Sequence, residues 1–261
     1  MNILVIGDIF GKPGRKIVKQ MLSRIQTENN IMFTIANAEN AAGGKGLTRE
    51  VLRELLGAGI DVLTMGNHVW DNKEIFQFID DEFRLIRPIN YPGDCPGQGY
   101  HVYQAGFNKK IAVINASGRV FLPALDCPFR KIDEVLQELK DSVDYIIVDF
   151  HAEATSEKVA LGRYLDGRVT AVLGTHTHIQ TADERILPRG TGYITDLGMT
   201  GPYDSILGVN KDQIIEKFLT ARPVRFEVAT GPAQIEGVVL DLDDDTNHVN
   251  KIKRFSYRME Q

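Results

Sequence analysis

The chain has 261 residues, enough for one large core, and its 43% apolar and 25% charged content is that of an ordinary globular protein. A net charge of −5 gives no reason to expect a long polyanion as principal partner, although a local site in an acidic protein can still hold a small phosphate. Cys95 and Cys127 stand alone, without CxxC spacing, and read as unpaired thiols in a reducing compartment. The opening MNILVIGDIF lacks a basic lead, and no stretch approaches the ~18 apolar residues of a membrane span, so the expectation is a cytoplasmic protein without membrane contact.

Short apolar runs rich in β-branched residues alternate with amphipathic helical stripes. Ile3–Ile6 reads as the first strand, and Pro13-Gly14 opens a helix whose Ile17, Val18, Met21, Leu22 and Ile25 share one face. Strand Ile31–Ile35 leads to a helix from about Thr48, and Ile60–Met65 is the third strand. Ile75, Phe76 and Ile79 mark a short helix. Tyr100–Gln104 and Ile111–Asn115 flank the turn Gly106-Phe107-Asn108-Lys109 and read as a hairpin. Helix 130–140, strand Tyr145–Val148, helix 156–165 and strand Val169–Leu173 return to alternation. A helix through Ile214, Ile215 and Phe218 precedes three expected strands at 224–229, 234–242 and 249–257. The expectation is one α/β domain over residues 1–261, with a mostly parallel first sheet, a second sheet carrying antiparallel strands, and helices outside.

Five of the strands are followed by a potential metal ligand. Asp8 follows ILVIG, Glu39 and Asn40 follow FTIANA, Asn67 and His68 follow DVLTMG, His151 follows YIIVDF, and His176 and His178 follow AVLGT. Singly, each has a plain role: Asp8 as a cap, Asn67 as a turn residue, Glu39-Asn40 as a solvated loop, a histidine as a hydrogen-bonded side chain. Together they fall at the carboxyl ends of strands, the edge at which open α/β sheets bind ligands. Carboxylate, amide oxygen and imidazole without thiolate suit Mn²⁺, Fe²⁺ or Zn²⁺. So many candidates exceed what one tetrahedral ion takes and fit two ions that share a carboxylate. In an extended segment His176 and His178, two residues apart, project the same way and serve one ion each.

The order D-x-F, E-N, G-N-H, H and G-T-H-T-H resembles the calcineurin-like metallophosphoesterases. AENAAGGKGLT (38–48), LTMGNHVWDNKEI (63–75), the segment around Asn115–Phe121 and DLGMTGPYDSILG (196–208) bring the likeness closest to the YmdB-type bacterial branch of 2′,3′-cyclic-nucleotide phosphodiesterases, over nearly the whole chain. The resemblance implies a four-layer α/β/β/α sandwich with two mixed sheets and helices outside. It implies one metal on Asp8, Glu39, Asn40 and His178 and another on Glu39, Asn67, His151 and His176, with Glu39 bridging. His68 takes the place of the non-ligand catalytic histidine. Two positions depart from the wider superfamily and follow the branch: Phe10 replaces the histidine of D-x-H, and Glu39 replaces the bridging aspartate, with Asn40 making up the lost ligand. The expected cofactors are two divalent or trivalent ions, iron or manganese, with zinc as the alternative.

On this reading a metal-bridging hydroxide attacks phosphorus in line and His68 acts as general acid toward the leaving ribose oxygen, or as imidazolium stabilises the charge growing on phosphorus. Asp71 either orients His68 or simply starts a helix. Gly44 in the Gly43-Gly44-Lys45-Gly46 loop, Arg119 just past a strand and Thr200 are candidate substrate contacts; an ordinary surface role fits Arg119 equally well. The loops at 117–129 and 198–206 read either as a substrate wall or as a subunit contact in a homo-oligomer. The alternatives are a phosphatase or nuclease acting on RNA ends or phosphoproteins, and a metal-dependent nucleotide sensor regulating a partner. The acidic balance and the lack of a basic, aromatic-laced stripe weigh against RNA.

Overall fold

In the computed structural model, which describes residues 1–106 and 108–259 apart from the side chain of residue 141, the first strand sets the architecture. Strand β1 (Asn2–Ile6) points Leu4 and Ile6 to one face and Ile3 and Val5 to the other, and all four are buried. A sheet apolar on both faces must be covered on both. The chain continues through β2 (Asp8–Ile9), α1 (Gly11–Glu28), β3 (Ile31–Asn37), α2 (Arg49–Gly57), β4 (Val62–Thr64) and β5 (Leu85–Ile86). Then come β6 (Tyr100–Ala105), β7 (Lys109–Ser117), α3 (Pro128–Leu139), β8 (Tyr145–His151), α4 (Thr155–Leu165) and β9 (Ala171–Thr175). The short β10 (Arg185–Ile186), β11 (Gly192–Ile194) and β12 (Met199–Pro202) lead to α5 (Lys211–Thr220), β13 (Ala233–Leu242) and β14 (Val249–Met259).

Both sheets are mixed. The eight-stranded sheet runs β2-β12-β13-β1-β3-β4-β5, with β14 also paired to β13. Within it β1, β3, β4 and β5 are parallel, whereas β13 lies antiparallel to β1 with Ile3 opposite Leu240. The six-stranded sheet runs β10-β11-β9-β8-β7-β6, antiparallel only at its two edges. Three apolar slabs stack the layers. Leu4 and Ile6 pack on Ile17 and Leu22 of α1 and Leu52 and Leu55 of α2. Ile3 and Val5 meet Val113, Ile147 and Leu173 of the second sheet. The far face of that sheet, with Ile114, Val148 and Phe150, packs on Ile132 of α3 and Leu161 of α4. The result is the α/β/β/α sandwich. Among the described residues no helix is long and apolar enough to cross a membrane.

The structure corrects several sequence expectations. Helix α1 begins at Gly11, with Pro13 inside a first turn that needs no amide hydrogen from it. The segment around Ile75 is a 3-10 turn, Lys73–Gln77, in which the Asn72 side chain caps Glu74 N. Residues 224–229 form no strand; only Val228 bridges, to Val209. The antiparallel strands β13 and β14 join the first sheet rather than the second. The β6–β7 hairpin forms as expected, although Phe107 of its turn lies outside the described residues. Strands β3, β7, β8 and β9 each continue two or three residues past the apolar run, into Asn37, Ser117, His151 and Thr175. The last residue of each is polar and buried. Asn37 and Thr175 bond Asp149, and Thr175 also meets His151, whereas Ser117 bonds Asn90.

Candidate metal centre

The carboxyl ends of β1, β3 and β4 in one sheet face those of β8 and β9 in the other, and the seven expected ligands lie along that seam. Asp8, Glu39, Asn40, His151 and His178 are buried; Asn67 and His176 are half-buried. Strand β4 can deliver Asn67 because Gly66 has no side chain. A Cβ there would stand 2.4 Å from both Glu39 Oε2 and His151 Nε2.

Hydrogen-bond accounting shows which atoms are left to bind. His151 Nδ1 faces Thr175 Oγ1 at 3.0 Å, and that hydroxyl donates to Asp149 Oδ1 at 2.7 Å. With its one proton committed, Thr175 accepts from Nδ1–H, so the ring hydrogen sits on Nδ1 and Nε2 presents a lone pair. Nε2 lies 3.1 Å from Glu39 Oε1 and 3.0 Å from Asn67 Oδ1, both acceptors. A second convergence repeats the pattern. His178 Nδ1 donates to Leu207 O at 3.1 Å, and Asn40 Nδ2 donates to Gly44 O at 3.1 Å. These bonds leave His178 Nε2 and Asn40 Oδ1 facing each other at 3.2 Å, with Asp8 Oδ1 3.8 Å from Nε2. That Asp8 oxygen is the one buried side-chain polar atom without a hydrogen-bond partner among the described residues.

The electrostatics agree. Burial pushes the Asp8 carboxyl up to about 6, against the pull of His178 and His151. Burial acts on Glu39 in the same sense, but the His151 ring outweighs it and holds Glu39 down to about 2. His151 is itself pushed up to about 9, in spite of burial, by Glu39 and Asp8. Burial, with the neighbouring His151, takes His176 down to about 3. Acceptor lone pairs crowded this way demand positive charge at their centre, and a divalent cation meets that demand as a proton does. Glu39, His151 and His176 each offer a ligand atom within 4.8 Å of the others. The donor set therefore fits a metal.

The HTH segment reaches this arrangement by an unexpected backbone. It is not extended: His176 has φ 96° and His178 φ 63°, both left-handed. The conformation is held at the residue between them. Asp196 Oδ2 accepts from Thr177 N at 3.1 Å, Thr177 Oγ1 at 2.7 Å and the buried Lys158 ammonium at 2.7 Å. The turn sends His176 to the His151 side, ring centroids 4.6 Å apart, and His178 to the Asn40 side. His176 Nε2 also meets Glu153 at 3.1 Å. Sequence reasoning missed Asp149, Thr175, Asp196, Lys158 and Glu153. The only signal for the first two was polarity at strand positions just short of a ligand.

A family model described as YmdB-like protein matches residues 4–255. The chain belongs to the YmdB-like family. Over 254 residues it is 56% identical to the 2′,3′-cyclic-nucleotide 2′-phosphodiesterase of Bacillus subtilis (strain 168), covering 97% of this chain and 96% of that one. The crystal structure of a hypothetical protein from Thermus thermophilus matches with a TM-score of 0.94 and 42% identity over 100% of both chains. That of a novel phosphatase from Mycoplasma pneumoniae gives a TM-score of 0.93 and 37% identity over 100% of this chain and 94% of its own.

In this YmdB-like chain the ligand seam opens into a cleft of about 300 Å³. His68 lines it, half-buried, with its amide donating to Glu39 Oε2 at 3.1 Å and Nδ1 2.9 Å from Asp71 Oδ2. Of the expected substrate contacts, Gly44 lines the cleft in a left-handed conformation, φ 97°. Arg119 is not among the lining residues, and its amide is bound by the Glu157 carboxylate. Thr200 is fully buried in β12 and does not line the cleft.

Proposed function

We propose that this YmdB-like protein is a metal-dependent phosphodiesterase that opens small cyclic phosphodiesters, 2′,3′-cyclic nucleotides first, with two ions of iron or manganese, zinc being the alternative. The observation that carries the reading is Asp8 Oδ1, a buried carboxylate oxygen without a hydrogen-bond partner, aimed between His151 and His178. The Bacillus subtilis relative, named for this substrate class, supports the choice of ester. The match over residues 4–255 supports a single working domain.

Asp8, Asn40, His178 and Glu39 would hold one ion, and Glu39, Asn67, His151 and His176 the other. When bound, such ions supply Lewis acidity toward phosphoryl oxygens and make water acidic enough to act as a nucleophile near neutral pH. The chain's own residues do the rest. Glu39 and Asp8 keep the net positive charge of the loaded site low, so that a phosphodiester monoanion is matched rather than trapped. Asp71 accepts from His68 Nδ1–H and turns the ring so that Nε2 is the nitrogen free to face a ligand. As imidazolium, His68 gives the Nε2 proton to the ribose 2′ oxygen as its bond to phosphorus breaks, and a 3′-monophosphate results. The small cleft suits a mononucleotide better than a strand of nucleic acid.

The test is a substrate panel. Protein reconstituted with Mn²⁺ or Fe²⁺ is incubated with 2′,3′-cyclic AMP, 3′,5′-cyclic AMP, bis-p-nitrophenyl phosphate, a short RNA and a phosphopeptide. Turnover favouring the 2′,3′ diester upholds the reading. Preference for RNA or phosphopeptide replaces it with the phosphatase or nuclease alternative, and tight binding without turnover replaces it with a sensor.

A further inference from the structure

One bank of the cleft is apolar except for a single charged residue, Glu227. Alongside Glu39, His68 and the two HTH histidines stand Phe10, Val209, Phe226 and Val228. A phosphate needs none of them. Phe10 presses edge-on against His178, ring centroids 5.6 Å apart, and packs where Gly208 and Gly44 lack side chains; a Cβ at those positions would stand 2.5 Å and 3.2 Å from its ring. A ring thus stands beside the centre as a wall.

Phe226 is 42% exposed within this cleft, a large apolar surface left to solvent beside a polar centre. Its position is built. Val209 bridges Val228, Asn210 N donates to Glu227 O at 2.9 Å, and Ala229 N donates to Gly208 O at 2.9 Å. Helix α5 buttresses the same segment: Gln213 Oε1 accepts from Glu227 N at 2.8 Å, and the Lys217 ammonium lies 4.9 Å from the Phe226 centroid. The segment is also tied to the ligands, because Leu207 O accepts from His178 Nδ1.

We infer that this bank is a platform for the planar base of a nucleotide and that Phe226 is the residue conferring preference for a base-bearing phosphodiester over a bare one. The inference rests on the phosphodiesterase reading and deepens it. An amphipathic cleft fits an amphipathic ligand, with the phosphate at the histidines and a flat apolar group on the phenyl ring. Stacking on an aromatic ring is open to every base, so the platform selects for nucleotides without choosing among them. Lys45 is the one lysine or arginine in the lining, too few for a nucleic-acid strand, whose binding scales with neutralised phosphates.

The test compares the metal-reconstituted full chain with its Phe226→Ala and Phe226→Trp variants, at matched metal content and melting temperature. Two substrates are used: 2′,3′-cyclic AMP, and glycerol 1,2-cyclic phosphate, which has the same strained ring and no base. The ratio of kcat/KM for the first over the second should fall roughly tenfold to hundredfold in Phe226→Ala, mainly through KM, and return in Phe226→Trp. Calorimetry should show adenosine 3′-monophosphate binding weakened by a similar factor and inorganic phosphate binding much less so. A ratio unchanged in Phe226→Ala overturns the platform while leaving the phosphodiesterase reading intact. Wild-type protein that cleaves neither substrate overturns that reading itself.

Discussion

Thr175 stands between Asp149 and His151, donating to the carboxylate at 2.7 Å and accepting from the ring at 3.0 Å. That single hydroxyl decides which nitrogen of His151 is free to bind. Thr175→Val keeps the shape and removes the switch. It should weaken metal binding roughly 10- to 100-fold, the usual effect of losing a group behind a ligand histidine. It should also cost about 1–3 kcal/mol of stability, because two buried polar atoms lose their partner. Thr175→Ser should restore both. Metal titration calorimetry and thermal melts read the two effects; a valine variant with native metal affinity would refute the tautomer argument.

The metal-free protein should lose stability as pH rises from about 6.5 to about 9. The His151 pKa is raised from its ordinary value of 6.5 to about 9, by Glu39 and Asp8 acting against burial. Its contribution is therefore complete below the unfolded value and disappears as the proton leaves the folded site. Asp8, raised from 3.8 to about 6, and Glu39, lowered from 4.5 to about 2, change protonation below this window and do not compete within it. Loaded protein should lack this decline, since a cation takes the place of the proton on Nε2. Melting temperatures of chelated and reconstituted samples over roughly pH 6–9.5 check the sign. A metal-free sample that gains stability across that range would remove His151 as the cationic partner of Glu39.

How much of this was legible beforehand differs by layer. The strand–helix alternation and the seven candidate ligands could be read because apolar runs stop abruptly at polar residues. The network behind them could not, since Asn37, Asp149 and Thr175 fall past the apolar runs, at positions that the strands in fact include. Buried polar residues that bond only one another leave no periodic trace. The geometry of the HTH segment was misjudged because its clamp, Asp196, lies 19 residues beyond Thr177. The apolar bank was misjudged as a strand: residues 224–229 have strand-like composition, but only Val228 finds a partner.

That clamp is testable in two parts. Asp196→Ala leaves the buried Lys158 ammonium without its counter-charge and should cost about 3–5 kcal/mol. Thr177→Val spares the ion pair and removes the hydroxyl bond beside the two histidines, so its stability cost should be near ~1 kcal/mol. If the clamp positions His176 and His178, the valine variant should lose metal affinity out of proportion to that small change. Equal, small losses in both quantities would make Asp196 a fold residue only. The comparison needs chemical denaturation curves together with metal titrations on the same preparations.

His68 differs from its neighbours in chemistry, and its replacement separates binding from catalysis. Its ring hydrogen-bonds to none of Asp8, Asn40, Asn67, His151, His176 or His178 among the described residues; Nδ1 goes to Asp71, and only the backbone amide touches Glu39. His68→Ala keeps that amide bond, so the two convergences of lone pairs stay as they are. Turnover of 2′,3′-cyclic AMP should fall roughly 10²–10⁴-fold, the range typical of a lost general acid. Metal content should stay near that of the parent, and a substrate with a good leaving group, bis-p-nitrophenyl phosphate, should lose far less because nitrophenolate needs no proton. Asp71→Asn should reproduce a weaker version of the same pattern, since it loosens the ring without removing it. Loss of metal in His68→Ala would make His68 a ligand, and equal loss on both substrates would exclude proton donation to the leaving oxygen.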